Sequence, residues 1–264
     1  MSHLFCNGQF ADANVLGAAL VNYGHFTSLQ VRKGAVQGWV LHQQRLQQAT
    51  HELFDAGLDV AQLTVWLKDA LAQCDACDAS VRITVFSRAF DFRQPLRVVP
   101  VDVLIGIAAP AAISTTARTV APLRYQRELA HIKHAGTFPL FHHRRQAMRE
   151  GFDDVVFVDG AGNVSEGSTW NLAFWDGAQV VWPQAAALRG VTEQLLIAGL
   201  DRLGQAQVRR ELGLATLAGF SGAVACNASG MWPLSRVGDV PFVQSEQLLQ
   251  QLQRALDEAP WVVL

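Results

Sequence analysis

Lys133 and Glu166 are the residues of this chain best suited to do chemistry. Lys133 lies in Glu128-Leu-Ala-His-Ile-Lys133-His-Ala-Gly136, and Glu166 lies 33 positions later in Asn163-Val-Ser-Glu166-Gly-Ser-Thr-Trp-Asn171. A lysine amine condenses with a carbonyl to give a Schiff base. A carboxylate can hold a proton on a heteroaromatic nitrogen, so that the ring accepts electrons. Arg45 upstream and the helix start Gly190-Val191-Thr192 downstream are groups that bind a phosphate. Together they point to a pyridoxal phosphate (PLP) site.

Taken singly, each residue also has an ordinary reading. Gly190-Val191-Thr192 ends a loop and opens a helix, whose free N–H groups and positive dipole suit a phosphate. The same residues are also a plain Thr cap after a Gly turn. Arg45, in Leu41-His-Gln-Gln-Arg45-Leu46, could clamp a phosphate with two parallel donors, or it could face solvent. Asn227 follows the apolar strand Ala223-Val-Ala-Cys226, a usual place for ligand contact, and its alternative role is an Asx turn. Glu166 needs neighbours to orient it. Ser168, Thr169 and Asn171 could do so, and the alternative is a solvated turn carboxylate.

These residues must be positioned by a scaffold. The chain has 264 residues, half of them hydrophobic and 17% charged, which suits one large domain or two lobes with ample core. A formal net charge of −2 gives no basic field for nucleic acid. No apolar run is long enough to span a bilayer, and the N-terminal residues do not read as a secretory signal. Four cysteines point to a reducing compartment, so the expected location is cytoplasmic. Cys74-Asp-Ala-Cys77 follows a helix and precedes a strand, the reverse of a redox motif, and no second pair completes a zinc site. His142 and His143 point about 100° apart on a helix, so no metal is expected.

Residues 28–40 alternate around Lys33-Gly34, which predicts a hairpin. Helices are predicted at 42–56, closed by Gly57, and at about 60–73. Strands are predicted at 81–87 and 98–109. Residues 111–122 are the candidate interlobe connection, which gives an N-terminal lobe at 1–110 and a C-terminal lobe, carrying the lysine, at 123–264. In the second lobe helices are predicted at 139–150, 192–203 and 245–256, with strands at 154–159, 172–175, 179–182 and 223–226. Strands and helices interleave with hairpins, an α+β or mixed α/β pattern rather than a doubly wound nucleotide fold.

The ordered set Lys133, Glu166-Gly-Ser-Thr-Trp-Asn171, Leu188-Arg-Gly-Val-Thr192 and Asn227 resembles the class IV (fold type IV) PLP enzymes. These include the branched-chain and D-amino-acid aminotransferases and aminodeoxychorismate lyase. Further markers are Phe5-Cys-Asn-Gly, Gln44-Arg45-Leu46, Gly151-Phe-Asp-Asp154 and Trp232-Pro233. Cys226-Asn-Ala and Trp232-Pro233 look most like the lyase branch. The resemblance implies a two-lobed D-amino-acid-aminotransferase-like fold and a homodimer. It implies that Lys133 carries the cofactor, that Glu166 binds the pyridine nitrogen, and that Arg45, Val191, Thr192 and Asn227 hold the phosphate. Its chemistry is amino transfer between small amino and keto acids. Pyruvate elimination from aminodeoxychorismate, or cofactor binding without catalysis, are the alternatives. Two segments depart from the family, Val21-Asn-Tyr-Gly-His25 and Arg88-Ala-Phe-Asp-Phe-Arg-Gln-Pro95. By resemblance they border the substrate, which makes His25 and Arg88 the candidate substrate residues. Arg88 could instead pair with Asp91, and His25 could be packed in the core.

Overall fold

The structure, a computed structural model, describes residues 3–15, 21–112 and 114–264. By internal packing the chain divides into two compact units. Unit 1 is drawn from Met1–Ala111, Ile132–Gly136 and Trp261–Leu264, and unit 2 from Ala112–His131 and Thr137–Pro260.

In unit 1 the elements are β1 (His3–Cys6), β2 (Gln9–Phe10), β3 (Gly24–Val31), β4 (Ala35–Gln37), α1 (Trp39–Phe54), α2 (Val60–Gln73), β5 (Ala79–Phe86) and β6 (Asp102–Ala108). Five strands form an antiparallel sheet in the order β2-β1-β6-β5-β3. Period-two alternation turns Leu29 and Val31 of β3, Val81 and Ile83 of β5, and Ile105 of β6 to one face, where they meet Leu46 of α1 and Leu63 and Leu67 of α2. Asp59 caps α2 by accepting from the amides of Ala61 and Gln62. α1 starts at Trp39, earlier than expected, and its last turn closes on Asp55 in the left-handed region rather than on Gly57. The predicted hairpin turn is present, with Lys33 and Gly34 both at positive φ. Beyond it, β4 pairs not with the length of β3 but with the C-terminal strand, residues Trp261–Val263.

Unit 2 contains β7 (Arg118–Arg124), α3 (Phe138–Arg149), β8 (Asp154–Val158), β9 (Val164–Gly167), β10 (Asn171–Trp175), β11 (Val180–Pro183), α4 (Val191–Arg202), β12 (Gln207–Arg210), β13 (Gly222–Asn227), β14 (Gly230–Val237), β15 (Val240–Pro241) and α5 (Ser245–Asp257). Its sheet runs β12-β11-β10-β13-β14-β7-β8-β9, with β15 on β14. β8, β10, β11 and β13 are apolar on both faces, because helices cover the side turned away from the Val156–Trp170–Phe174–Phe220 core. Leu196 and Leu200 of α4 pack with Leu248 and Leu252 of α5 over Val180, Trp182 and Val224.

This division differs from a single connection at 111–122. Residues 118–124 are β7, inside the sheet of unit 2, and Ile113 lies outside the described residues. Lys133 packs with unit 1 rather than with the C-terminal lobe. Backbone bonding is the cause: Phe26 N–H donates to Lys133 O at 2.9 Å, and Ala135 N–H donates to Gly24 O at 2.8 Å. Edge strand β3 takes the passing segment as a short added strand, with His25 opposite His134.

Candidate active site

In unit 1 the added strand fixes the backbone of Lys133, and its ammonium lies 4.9 Å from the centroid of the Phe26 ring. The Arg82 guanidinium lies over that same ring, at 3.5 Å. Phe26 and Thr84 are register partners in β3 and β5, and Ser28 is opposite Arg82. Phe26 and Arg82 therefore stand on the sheet face opposite the Leu29–Ile83 core. Two cations against one aromatic ring is an arrangement suited to negative charge nearby.

The other face of β3 carries a buried polar pair of contacts to α1. The Thr27 hydroxyl is 2.6 Å from His42 Nδ1, the Thr50 hydroxyl is 3.0 Å from His25 Nε2, and Arg45 Nη1 is 3.5 Å from the Thr27 hydroxyl. Burial, and after it the charges of Arg45 and Lys133, pull the His42 pKa down to about 3. Unit 1 thus brings Lys133, Arg45 and His42 into one electrostatic neighbourhood. Burial alone takes His25 down to about 4.

In unit 2 Glu166 lies in β9, next to its last residue, almost fully buried. Its Oε2 accepts from the Leu188 amide at 3.3 Å. Arg127, also buried, loses some basicity to desolvation, and the Glu166 charge acts the other way. A buried carboxylate beside a buried cation is far less costly than either alone. Asn171 shapes the neighbouring loop. Its Nδ2 donates to Leu188 O at 2.7 Å and its Oδ1 accepts from the Gly190 amide at 3.2 Å. A β-carbon on Gly190 would collide with that Oδ1, so only glycine lets the loop come this close.

α4 begins immediately after, and no side chain caps it. Its first-turn amides, Val191 and Thr192 among them, therefore lack the usual side-chain acceptor. Thr192 is not the cap. It sits inside the first turn and donates its hydroxyl to Asn227 O at 2.9 Å, while Asn227 Nδ2 donates to Thr169 O at 3.3 Å. Unit 2 thus gathers Glu166, Val191, Thr192 and Asn227 on one run of strand ends and a helix start.

The two expected substrate residues are occupied within the fold. Arg88 pairs with Asp102 at 2.8 Å, and its amide donates to the same carboxylate at 2.9 Å. Asp91 instead accepts from the Arg93 amide. His25 is fully buried between β3 and α1. Arg82, Arg127 and His42 were not foreseen. Strand alternation carries a signal for Arg82, and the His42-x-x-Arg45 spacing, one helical turn, carries one for His42. No sequence pattern marks Arg127.

Each unit offers groups that suit PLP: in unit 1 an amine against an aromatic ring, and in unit 2 an uncapped helix start with a glycine cradle and a buried carboxylate that accepts an amide hydrogen bond. The family model "Amino-transferase class IV" matches residues 24–237. The chain belongs to the class IV aminotransferases. It is therefore an enzyme, with PLP as its cofactor and amino-group transfer between small amino and keto acids as its chemistry.

No curated protein sequence matches the chain. Among solved structures, a protein of Legionella pneumophila assigned as a 4-amino-4-deoxychorismate lyase superposes with a TM-score of 0.83 at 15% identity, covering 90% of this chain and 92% of that one. The branched-chain amino acid aminotransferase from Escherichia coli gives 0.83 at 16% identity over 96% and 92%. A hypothetical aminotransferase from Mycobacterium tuberculosis, in its PLP-bound form, gives 0.80 at 18% over 97% and 99%. These likenesses establish the class IV two-lobed, mixed α/β fold.

Among the described residues, no helix is long and apolar enough to cross a membrane.

Proposed function

We propose that Lys133 is the catalytic lysine and that Arg45, Glu166, Val191, Thr192 and Asn227 bind the cofactor. The carrying observation is the Lys133 amine on the Phe26 ring, fixed by backbone pairing to β3. Bound PLP supplies an electron-accepting ring that acidifies the substrate α-C–H. Lys133 Nζ takes that proton and returns it. Glu166 holds a proton on the ring nitrogen, kept in line by the Leu188 amide. The first-turn amides of α4 at Val191 and Thr192, together with Arg45, bind the phosphate, and Asn227 anchors Thr192 by accepting from its hydroxyl.

Arg82 replaces Arg88 as the proposed carboxylate partner. It shares the Phe26 ring with Lys133, whereas Arg88 is committed to Asp102. Lyase chemistry is the second reading, favoured by Cys226-Asn-Ala and Trp232-Pro233, and the same lysine would perform it. A cytoplasmic homodimer belongs to the same proposal. It is supported by the family resemblance and by four cysteines, none of them disulfide-bonded.

Borohydride reduction of the loaded protein followed by peptide mapping is the direct test. The label is expected on Lys133, and a label on Lys33 or Lys68 would overturn the assignment. Release of pyruvate from aminodeoxychorismate without a keto-acid acceptor would select the lyase reading. Sedimentation would report the dimer.

A further inference from the structure

We propose that Arg189, Glu193 and Arg209 form a positioning device that sets the cofactor-binding loop. The proposal rests on the reading that Glu166 and the start of α4 hold PLP. Glu193 lies in the first turn of α4 with its side chain 1% exposed. Its Oε1 accepts from Arg189 Nη1 at 3.1 Å and from Arg209 Nη2 at 2.9 Å. A carboxylate so buried needs such partners, since burial without them strips its hydration and returns nothing.

Arg189 does more than neutralise it. Its guanidinium also donates to Pro183 O at 3.3 Å and to Ala185 O at 2.6 Å, bracing the loop between β11 and α4 from its first residues. Gln194 Nε2 donates back to Arg189 O at 3.2 Å. Asn171 holds the same loop from the other side through Leu188 O and the Gly190 amide. One loop, clamped from two sides, delivers the Leu188 amide to Glu166 and leads directly into the uncapped turn of α4. Two guanidiniums against one carboxylate also leave a net positive charge beside those amides, the sign that favours a phosphate. None of the three residues belongs to the set proposed to touch the cofactor.

Arg189→Lys is the gentlest test, because it keeps the charge but loses the planar fork that makes three contacts at once. Glu193→Gln and Arg209→Met remove the ion pairs. Apoprotein of each variant is titrated with PLP, following tryptophan fluorescence, and the visible band of the bound cofactor is recorded against pH. PLP affinity is expected to fall about tenfold, as for groups that orient a ligand's direct partners. The pH midpoint of the band is expected to move, because Glu166 loses its fixed orientation. The apoprotein of Arg189→Lys should melt as the parent does. Affinity within about twofold of the parent, with an unmoved band, in Arg189→Lys and Arg209→Met overturns the proposal, and lost thermal stability alone then assigns the network to the fold. Thr192→Val and Glu166→Gln serve as controls. If they change neither affinity nor band, the underlying reading of the site has failed, and the proposal falls with it.

Discussion

A single functional group decides most at Glu166. Replacing it by Gln keeps the volume and the Leu188 contact, but an amide does not hold the ring nitrogen protonated. PLP should stay bound while turnover drops by about 10² or more, the cost of losing an electrostatic partner made in the transition state. Steady-state kinetics measures this, and near-normal turnover would make Glu166 a turn residue. Arg82 and Arg88 give the complementary pair. Arg82→Ala should raise the KM for the amino or keto acid far more than it changes PLP affinity. Arg88→Ala should leave KM alone and lower the melting temperature, because Asp102 loses its partner. The reverse outcome would restore Arg88 to the substrate. Lys133, Glu166 and Thr192 stand out in the sequence because each sits in a distinctive local string. The Arg88–Asp102 pair was not legible, because Asp102 lies 14 positions away on β6, a distance that local pattern does not report.

Elements show the same boundary between local and distant information. The Lys33-Gly34 turn was readable, since both residues must take positive φ. So were α2, α4 and α5, each with a periodic apolar stripe. The pairing of β4 with the C-terminal strand, and of β3 with residues 133–135, was not readable. Both join segments far apart in sequence, and neither leaves a mark on its own periodicity. Two glycines separate conformation from contact at this scale. A β-carbon on Gly34 meets nothing within 4 Å, but φ is +72° there. Gly34→Ala should therefore cost about 1 kcal/mol of stability and leave PLP binding unchanged. Gly190 has ordinary φ, but its β-carbon would collide with Asn171 Oδ1. Gly190→Ala should cost about 1–3 kcal/mol through forced displacement and also weaken PLP binding, because the displaced loop carries the Leu188 amide and the start of α4. Urea unfolding and PLP titration on both variants separate the two cases. Equal PLP affinity in Gly190→Ala and the parent would mean that the loop adapts.

The whole molecule carries a pH dependence set by its buried histidines. His25 and His42 are neutral in the folded chain, with pKa values lowered to about 4 and about 3, mainly by burial. In the unfolded chain both return to about 6.5. Between those values the unfolded chain binds protons that the folded chain refuses, so stability rises with pH across this window and falls on acidification. Each histidine contributes a slope of up to about 1.4 kcal/mol per pH unit there. The loss should begin near pH 6.5 and continue until the folded-state values are reached. Both side chains lie between β3 and α1, the strand and helix that carry the backbone pairing of Lys133 and the side chain of Arg45. Acid should therefore release PLP together with unfolding of unit 1 rather than before it. Urea midpoints and cofactor absorbance, followed in parallel from neutral pH downward, test this. His25→Gln keeps a donor and acceptor near Thr50 without a titrating ring, so it should flatten the slope by the share of one histidine. A slope unchanged in that variant, or cofactor loss that precedes unfolding, would place the acid-sensitive group elsewhere.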